Sequence, residues 1–177
     1  MPSAFLEESL AILTRTPATL NALLRDLPLA WTQATDGPNT WNAHTVLGHL
    51  IHGEQADWIP RITILLNHGL TLPFDPFDRE AHLNQNTDKP LNTLLDEFTQ
   101  LRQQSITTLQ AFQLETSDLA RQGQHPAFGP VTLRQLIATW TAHDLAHTLQ
   151  ISRTLARRYR SEVGPWAQYL SVMSGQK

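Results

Sequence analysis

The sequence predicts an all-α protein built as a four-helix bundle. Four long stretches repeat apolar residues at helical spacing, turn-rich segments separate them, and no period-two run of β-branched residues is long enough to suggest a sheet. With 177 residues the chain has the length of one well-buried core, so residues 1–177 are read as a single helical bundle domain.

The first helix is expected from Ser3, a plausible cap, to about Leu27, on the spacing of Phe5, Leu6, Leu10, Leu13, Leu20, Leu23, Leu24 and Leu27. Pro17 should kink or divide it. Thr35-Asp36-Gly37-Pro38-Asn39 breaks the pattern before a second helix from near Trp41 toward Asn67, with a bend expected at Pro60. The segment from Gly69 to Pro90, with Pro73, Pro76 and many polar residues, is too long for a simple connection and is expected to cover one end of the bundle. Leu91, Leu94, Leu95, Phe98, Leu101, Ile106 and Leu109 mark a third helix, and Gln122-Gly123-Gln124-His125-Pro126 marks a loop. The last long helix starts on a capping box, Thr132 with Gln135, and runs to about Tyr159. Gly164-Pro165 then stops it, and a short terminal helix carries Trp166 and Leu170.

Composition narrows the chemistry. The chain has no cysteine, which excludes disulfides, thiolate metal sites, iron–sulfur clusters and a cysteine nucleophile, so metal chemistry must use nitrogen and oxygen ligands. A net charge of -3 provides no basic field for nucleic acid, and Arg157-Arg158-Tyr159-Arg160 reads as the cationic last turn of a helix. An acidic N-terminal stretch and the lack of a membrane-length apolar run point to the cytoplasm, with no membrane partner.

The strongest chemical signal is His143-Asp144-Leu145-Ala146-His147. An i, i+4 pair projects both imidazoles from one helical face, and Leu136, Trp140 and Ile151 place that face on the inward stripe. A hydrogen-bonded core pair is the competing reading. A third nitrogen is available from His49 on the second helix, beside Val46, Gly53 and Ala56, whose small side chains leave room for a cavity. Three neutral imidazoles suit zinc, nickel, copper or iron and leave a coordination position open. His52 is a substitute ligand or a partly exposed polar residue. His44, His68, His82 and His125 fall where solvated or capping roles are the default, with His125 a candidate rim residue. Asp144 gives a His-Asp-x-x-His form, one methylene short of the zinc-protease arrangement, and is read as an orienting acceptor or, more weakly, a base. Glu54 and Asp57 are read mainly as solvated acids. Trp41, Trp58 and Trp140 are read as core or pocket wall.

The order of these features resembles the DinB/YfiT-like family of metal-dependent proteins, which is distinct from the DNA polymerase sharing part of that name. The likeness runs along nearly the whole chain: Thr16-Pro17, Trp41 leading to His49-Leu50, Pro73-Phe74, and Gly129-Pro130-Val131-Thr132-Leu133 leading through Trp140 to His143-Asp144-Leu145-Ala146-His147-Thr148-Leu149-Gln150-Ile151. The resemblance implies an up-down-down-up bundle with a divalent metal on His49, His143 and His147, and it allows a homodimer. Relatives that act as mycothiol-dependent isomerases and bacillithiol S-transferases imply, for the activity, a metal-dependent transferase that activates a low-molecular-weight thiol for attack on a small-molecule substrate. Metal-dependent hydrolysis is the alternative. A non-enzymatic, stress-related binding protein is the third reading, and it would close the metal shell with a fourth ligand such as His52.

Overall fold

The structure, a computed structural model, describes residues 3–84 and 88–173. Helix α1 spans Ala4–Leu24, and the Ser3 hydroxyl caps it by accepting from the Leu6 amide. Pro17 lies inside α1 without dividing it, so of the kink or division expected there the division is absent. Proline removes the amide that would have bonded to the Leu13 carbonyl. Arg102, from a facing helix, donates Nη1 to that carbonyl at 2.9 Å, so the freed acceptor is satisfied.

After the short α2 (Leu29–Thr32), the second long segment forms two helices, α3 (Ala43–Ala56) and α4 (Trp58–His68). The break falls at Asp57, with φ -115° and ψ -72°, rather than at Pro60. Pro60 sits in the first turn of α4, where a missing amide costs no intrahelical bond. Helix α5 spans Leu91–Ala111, and α6 spans Leu133–Arg157 behind the predicted Thr132–Gln135 capping box, in which both reciprocal bonds are present.

Two elements depart from the sequence reading. Strands β1 (Gln122–His125) and β2 (Gly129–Thr132) form an antiparallel hairpin where a loop was expected, and at four residues each they are too short to announce themselves by alternation. Past α6 the short terminal helix is a 3₁₀ helix, Gly164–Tyr169, opened by Gly164-Pro165, carrying Trp166 and capped by Leu170, with a second 3₁₀ turn at Ser171–Met173.

Side-chain contacts fix the helix directions. His44 meets the Lys89 carbonyl just before α5 while Glu54 meets Arg102, so α3 and α5 run parallel. Asp26 meets Asn92 while Leu13 meets Arg102, which makes α1 antiparallel to α5. His49 meets His143 while Glu54 meets Trp140, so α6 opposes α3 and runs with α1. The result is the up-down-down-up order that the resemblance implied.

This order explains the long connection. Because α4 and α5 point the same way, residues 69–90 must carry the chain back along a bundle edge of roughly 35 Å, at 1.5 Å per helical residue. The path is pinned at Phe74, whose amide donates to the Gln124 carbonyl at 2.9 Å and whose ring is buried against Gly123. A Cβ at Gly123 would lie 2.5 Å from Phe74 Cζ, so the close approach needs glycine. Residues 85–87 of this connection lie outside the described residues.

The apolar core has two parts. One joins Leu6 and Leu13 of α1 to Ile62, Leu65, Ile106, Leu109, Ile137 and Trp140. The other joins Leu20 and Leu24 to Leu47, Leu50, Leu94, Phe98, Ile151 and Leu155. Between them, at mid-height, lies a polar layer of Glu54, Arg102 and Asp144, all buried. No helix of the described residues is long and apolar enough to cross a membrane.

Candidate metal centre

The centre lies at the level of that polar layer, on the side where α3 faces α6. His143 and His147, one turn apart on α6, turn their Nε2 atoms toward each other at 3.1 Å, and His49 of α3 brings its Nε2 to 3.1 Å from the same His143 nitrogen. One ring nitrogen from each of the three lies within 4.8 Å of the others. The convergence expected from the sequence is therefore present, although His49 is 94 residues from His143.

The protonation of this cluster is constrained. Burial, reinforced by His147, pushes His49 down to about 3, and burial with His147 and His49 pushes His143 down to about 3 as well. His147 is lowered too, mainly by burial, although its bond to Gln150 and the nearby Asp144 act the other way. The three rings are thus neutral near pH 7. A neutral imidazole nitrogen either donates one proton or offers one lone pair. His143 Nε2 has two imidazole nitrogens at 3.1 Å and can hydrogen-bond only one of them. The other contact is left as two facing lone pairs, two facing protons, or the weak arm of a single N–H shared between two acceptors.

A cation among the three nitrogens removes that conflict. Metal–nitrogen bonds of about 2.0–2.1 Å separate adjacent ligand atoms by roughly 2.9–3.4 Å, which brackets the two observed contacts. His147 Nδ1–H donates to Gln150 Oε1 at 2.8 Å, a bond that reserves Nε2 as its lone-pair atom. The Nδ1 atoms of His49 and His143 are buried with no partner among the described residues. The donor set and its geometry fit a divalent ion.

A cleft of about 610 Å³ opens beside the cluster, lined by the three histidines, by Trp58 and Arg61 of α4, by Phe74, Phe77 and Arg79 of the long connection, and by His125 and Phe128 of the hairpin. The connection from Gly69 to Pro90, expected to cover one end of the bundle, forms part of this rim through Phe74, Phe77 and Arg79, and so does His125, the candidate rim residue. The hairpin turn was not expected there. The space does not come from Val46, Gly53 and Ala56: Trp58 Nε1 fills the gap at Gly53, 3.1 Å from where a Cβ would be, and Ala56 is exposed.

Several other expectations are corrected. Asp144 orients none of the metal-site histidines through its carboxylate. It is fully buried and grips Arg102 through both oxygens, at 2.5 and 3.0 Å. Glu54 and Asp57 are buried, not solvated. Glu54 Oε1 accepts from Arg102 at 2.7 Å and from Trp140 Nε1 at 3.2 Å, and Asp57 pairs with Arg61 at 2.6 Å. Burial raises the Asp57 pKa despite the opposing Arg61. His82, assigned a solvated or capping role, is buried.

The remaining residues fall closer to expectation. His52 is half-buried and stacked on Phe77, and it does not join the three-nitrogen group. His44 bonds the Lys89 carbonyl, and His68 is exposed. Trp58 and Trp140 stack in the core at 5.8 Å, with Trp58 also edge-on to His143. Trp41 packs against His49 and lies parallel to His147.

Comparison with known proteins follows the same lines. No curated protein sequence matches the chain. Among solved structures it is similar to YfiT from Bacillus subtilis, which is described as a probable metal-dependent hydrolase with an unusual four-helix bundle topology. The TM-score is 0.74, with 18% identity over 86% of this chain and 86% of that one, a likeness of fold. The family model of the DinB superfamily matches residues 12–151, from the middle of α1 past both α6 histidines, and the chain belongs to that superfamily.

Proposed function

We propose that this chain is a divalent-metal-dependent hydrolase of small molecules, with His49, His143 and His147 as the metal ligands. The observation that carries the reading is the pair of 3.1 Å contacts at His143 Nε2 among rings that burial keeps neutral. A bound divalent ion supplies Lewis acidity toward an electrophilic carbonyl or phosphoryl group and acidifies water. Phe74, Phe77 and Phe128 offer an apolar wall for the body of a substrate. Arg79, also on the cleft wall, offers a cation to charge that develops at the reacting group. We assign proton transfer to Asp57, a cleft carboxyl whose proton affinity is raised by burial.

The thiol S-transferase implied by the resemblance would use the same ion and cleft. The description of YfiT as a probable hydrolase supports hydrolysis over it. The test compares metal-free, zinc-loaded and nickel-loaded protein on p-nitrophenyl acetate and p-nitrophenyl phosphate, with and without a small thiol. Hydrolysis that needs the ion and no thiol, and that falls about 10²-fold or more in Asp57→Asn, is the expected result. Turnover that appears only with the thiol would replace hydrolysis by S-transfer.

A further inference from the structure

A fourth histidine reaches this cluster from the long connection. His82 lies in the 3₁₀ turn Ala81–Asn84 and is 3% exposed, its ring nitrogens interact with the Arg79 backbone, and among the described residues neither makes a hydrogen bond of full geometry. Its ring stands edge-on to Trp41 at 4.7 Å and at 65° to the His49 ring, with centroids 5.2 Å apart. His49 Nδ1 is also buried and unpartnered. The two neighbouring rings therefore carry buried nitrogens without full hydrogen bonds, each a cost to folding.

A metal-binding imidazole ordinarily gives its second N–H to an acceptor, which sets the tautomer and holds the ring. His147 has that acceptor in Gln150. His49 has none within α3, whereas a neutral His82 offers one lone pair in either tautomer. With centroids 5.2 Å apart, the two rings are near enough for such a bond between them.

We propose that His82 is the positioning residue for His49: its ring nitrogen accepts the His49 Nδ1–H, leaves His49 Nε2 free for the ion, and ties the connection over the cleft to the metal. This rests on the reading of His49, His143 and His147 as metal ligands. His82 itself is no member of the three-nitrogen group.

The experiment measures zinc affinity of the full chain by chelator competition in wild type, His82→Phe, His82→Gln and His143→Ala. His82→Phe keeps an aromatic ring against Trp41 but has no acceptor, and should bind zinc about 10–100-fold more weakly at unchanged stoichiometry. His82→Gln restores an acceptor and should recover most of that loss. Equal affinity in wild type and both His82 variants, or a glutamine variant no better than the phenylalanine one, overturns the positioning role. If wild type binds no zinc, or His143→Ala binds it as well as wild type, the metal-site reading fails instead.

Nitrogen-detected NMR of zinc-loaded wild type provides a readout that needs no variant to fold. It should find the proton of His49 on Nδ1, with a coupling across the hydrogen bond to a His82 nitrogen. A metal-bound shift at His82 would make it a ligand and overturn the proposal.

Discussion

Two polar clusters, one buried and one half-buried, sit side by side at the mid-height of the bundle, joined through the adjacent residues His143 and Asp144, and they are completed in different ways. Around Arg102, both Nη atoms are committed: Nη1 to the Leu13 carbonyl and Asp144, Nη2 to Asp144 and Glu54, with Trp140 Nε1 on the same Glu54 oxygen. Burial works against the charge on Arg102, but Asp144 and Glu54 outweigh it and hold the guanidinium more firmly protonated than usual. Around His143, three neutral rings meet at nitrogens that cannot all hydrogen-bond, and both Nδ1 atoms of His49 and His143 go without a partner among the described residues. The first cluster balances its charges within the chain and links α1, α3, α5 and α6, with Arg102 Nε and Glu54 Oε2 left unbonded among the described residues. The second opens on a cleft and stays incomplete until something outside the chain enters. A buried network that pairs its charges within the chain belongs to the scaffold, and one whose lone-pair nitrogens converge beside a cavity belongs to a ligand.

The sharpest way to break this contrast is to remove one partner from each cluster in metal-free protein. Arg102→Ala leaves two carboxylates facing each other in the core and should lower unfolding free energy by about 3–5 kcal/mol, read by urea denaturation. His143→Ala removes a ring from a cluster that is already in conflict, and should change it by less than about 1 kcal/mol. Similar losses in both variants would erase the distinction.

Acid offers a smaller effect that also separates the two. His49 and His143 are held near 3 in the fold against an ordinary value of about 6.5, so between those limits the unfolded chain binds more protons than the native one. Their contribution is complete above about pH 6.5 and is lost as pH falls toward 3. Metal-free wild type should therefore lose about 2–4 kcal/mol between pH 6.5 and 4, allowing for the open cleft. His143→Gln should flatten that limb. An unchanged slope in His143→Gln would mean that other groups carry the acid sensitivity.

How far the sequence discloses each cluster depends on where its residues sit. The histidine pair is legible because one helix fixes its geometry, and the α6 start is legible because Thr132 and Gln135 complete a local capping box. His49 is harder, since its approach to His143 is a matter of helix packing, but it lies on the buried face of α3. Arg102 carries a signal that was available: it falls four residues from both Phe98 and Ile106 on the apolar stripe of α5, where an arginine requires buried carboxylates.

Pro17 read alone does not tell a kink from a division, because the partner that satisfies the Leu13 carbonyl is 89 residues away. His82 gives no periodic signal at all. Its burial follows from the return path that parallel α4 and α5 impose on residues 69–90, which is a property of topology. The β1–β2 hairpin is equally silent, being held by the docking of Phe74 on Gly123.

The central claim is that the unsaturated cluster is built for a cation, and elemental analysis with zinc titration tests it most directly. Purified wild type should carry, or take up, close to one divalent transition metal per chain, and His143→Ala, His147→Ala should lose it while circular dichroism still reports the helical bundle. Equal metal content in the two proteins would contradict the account.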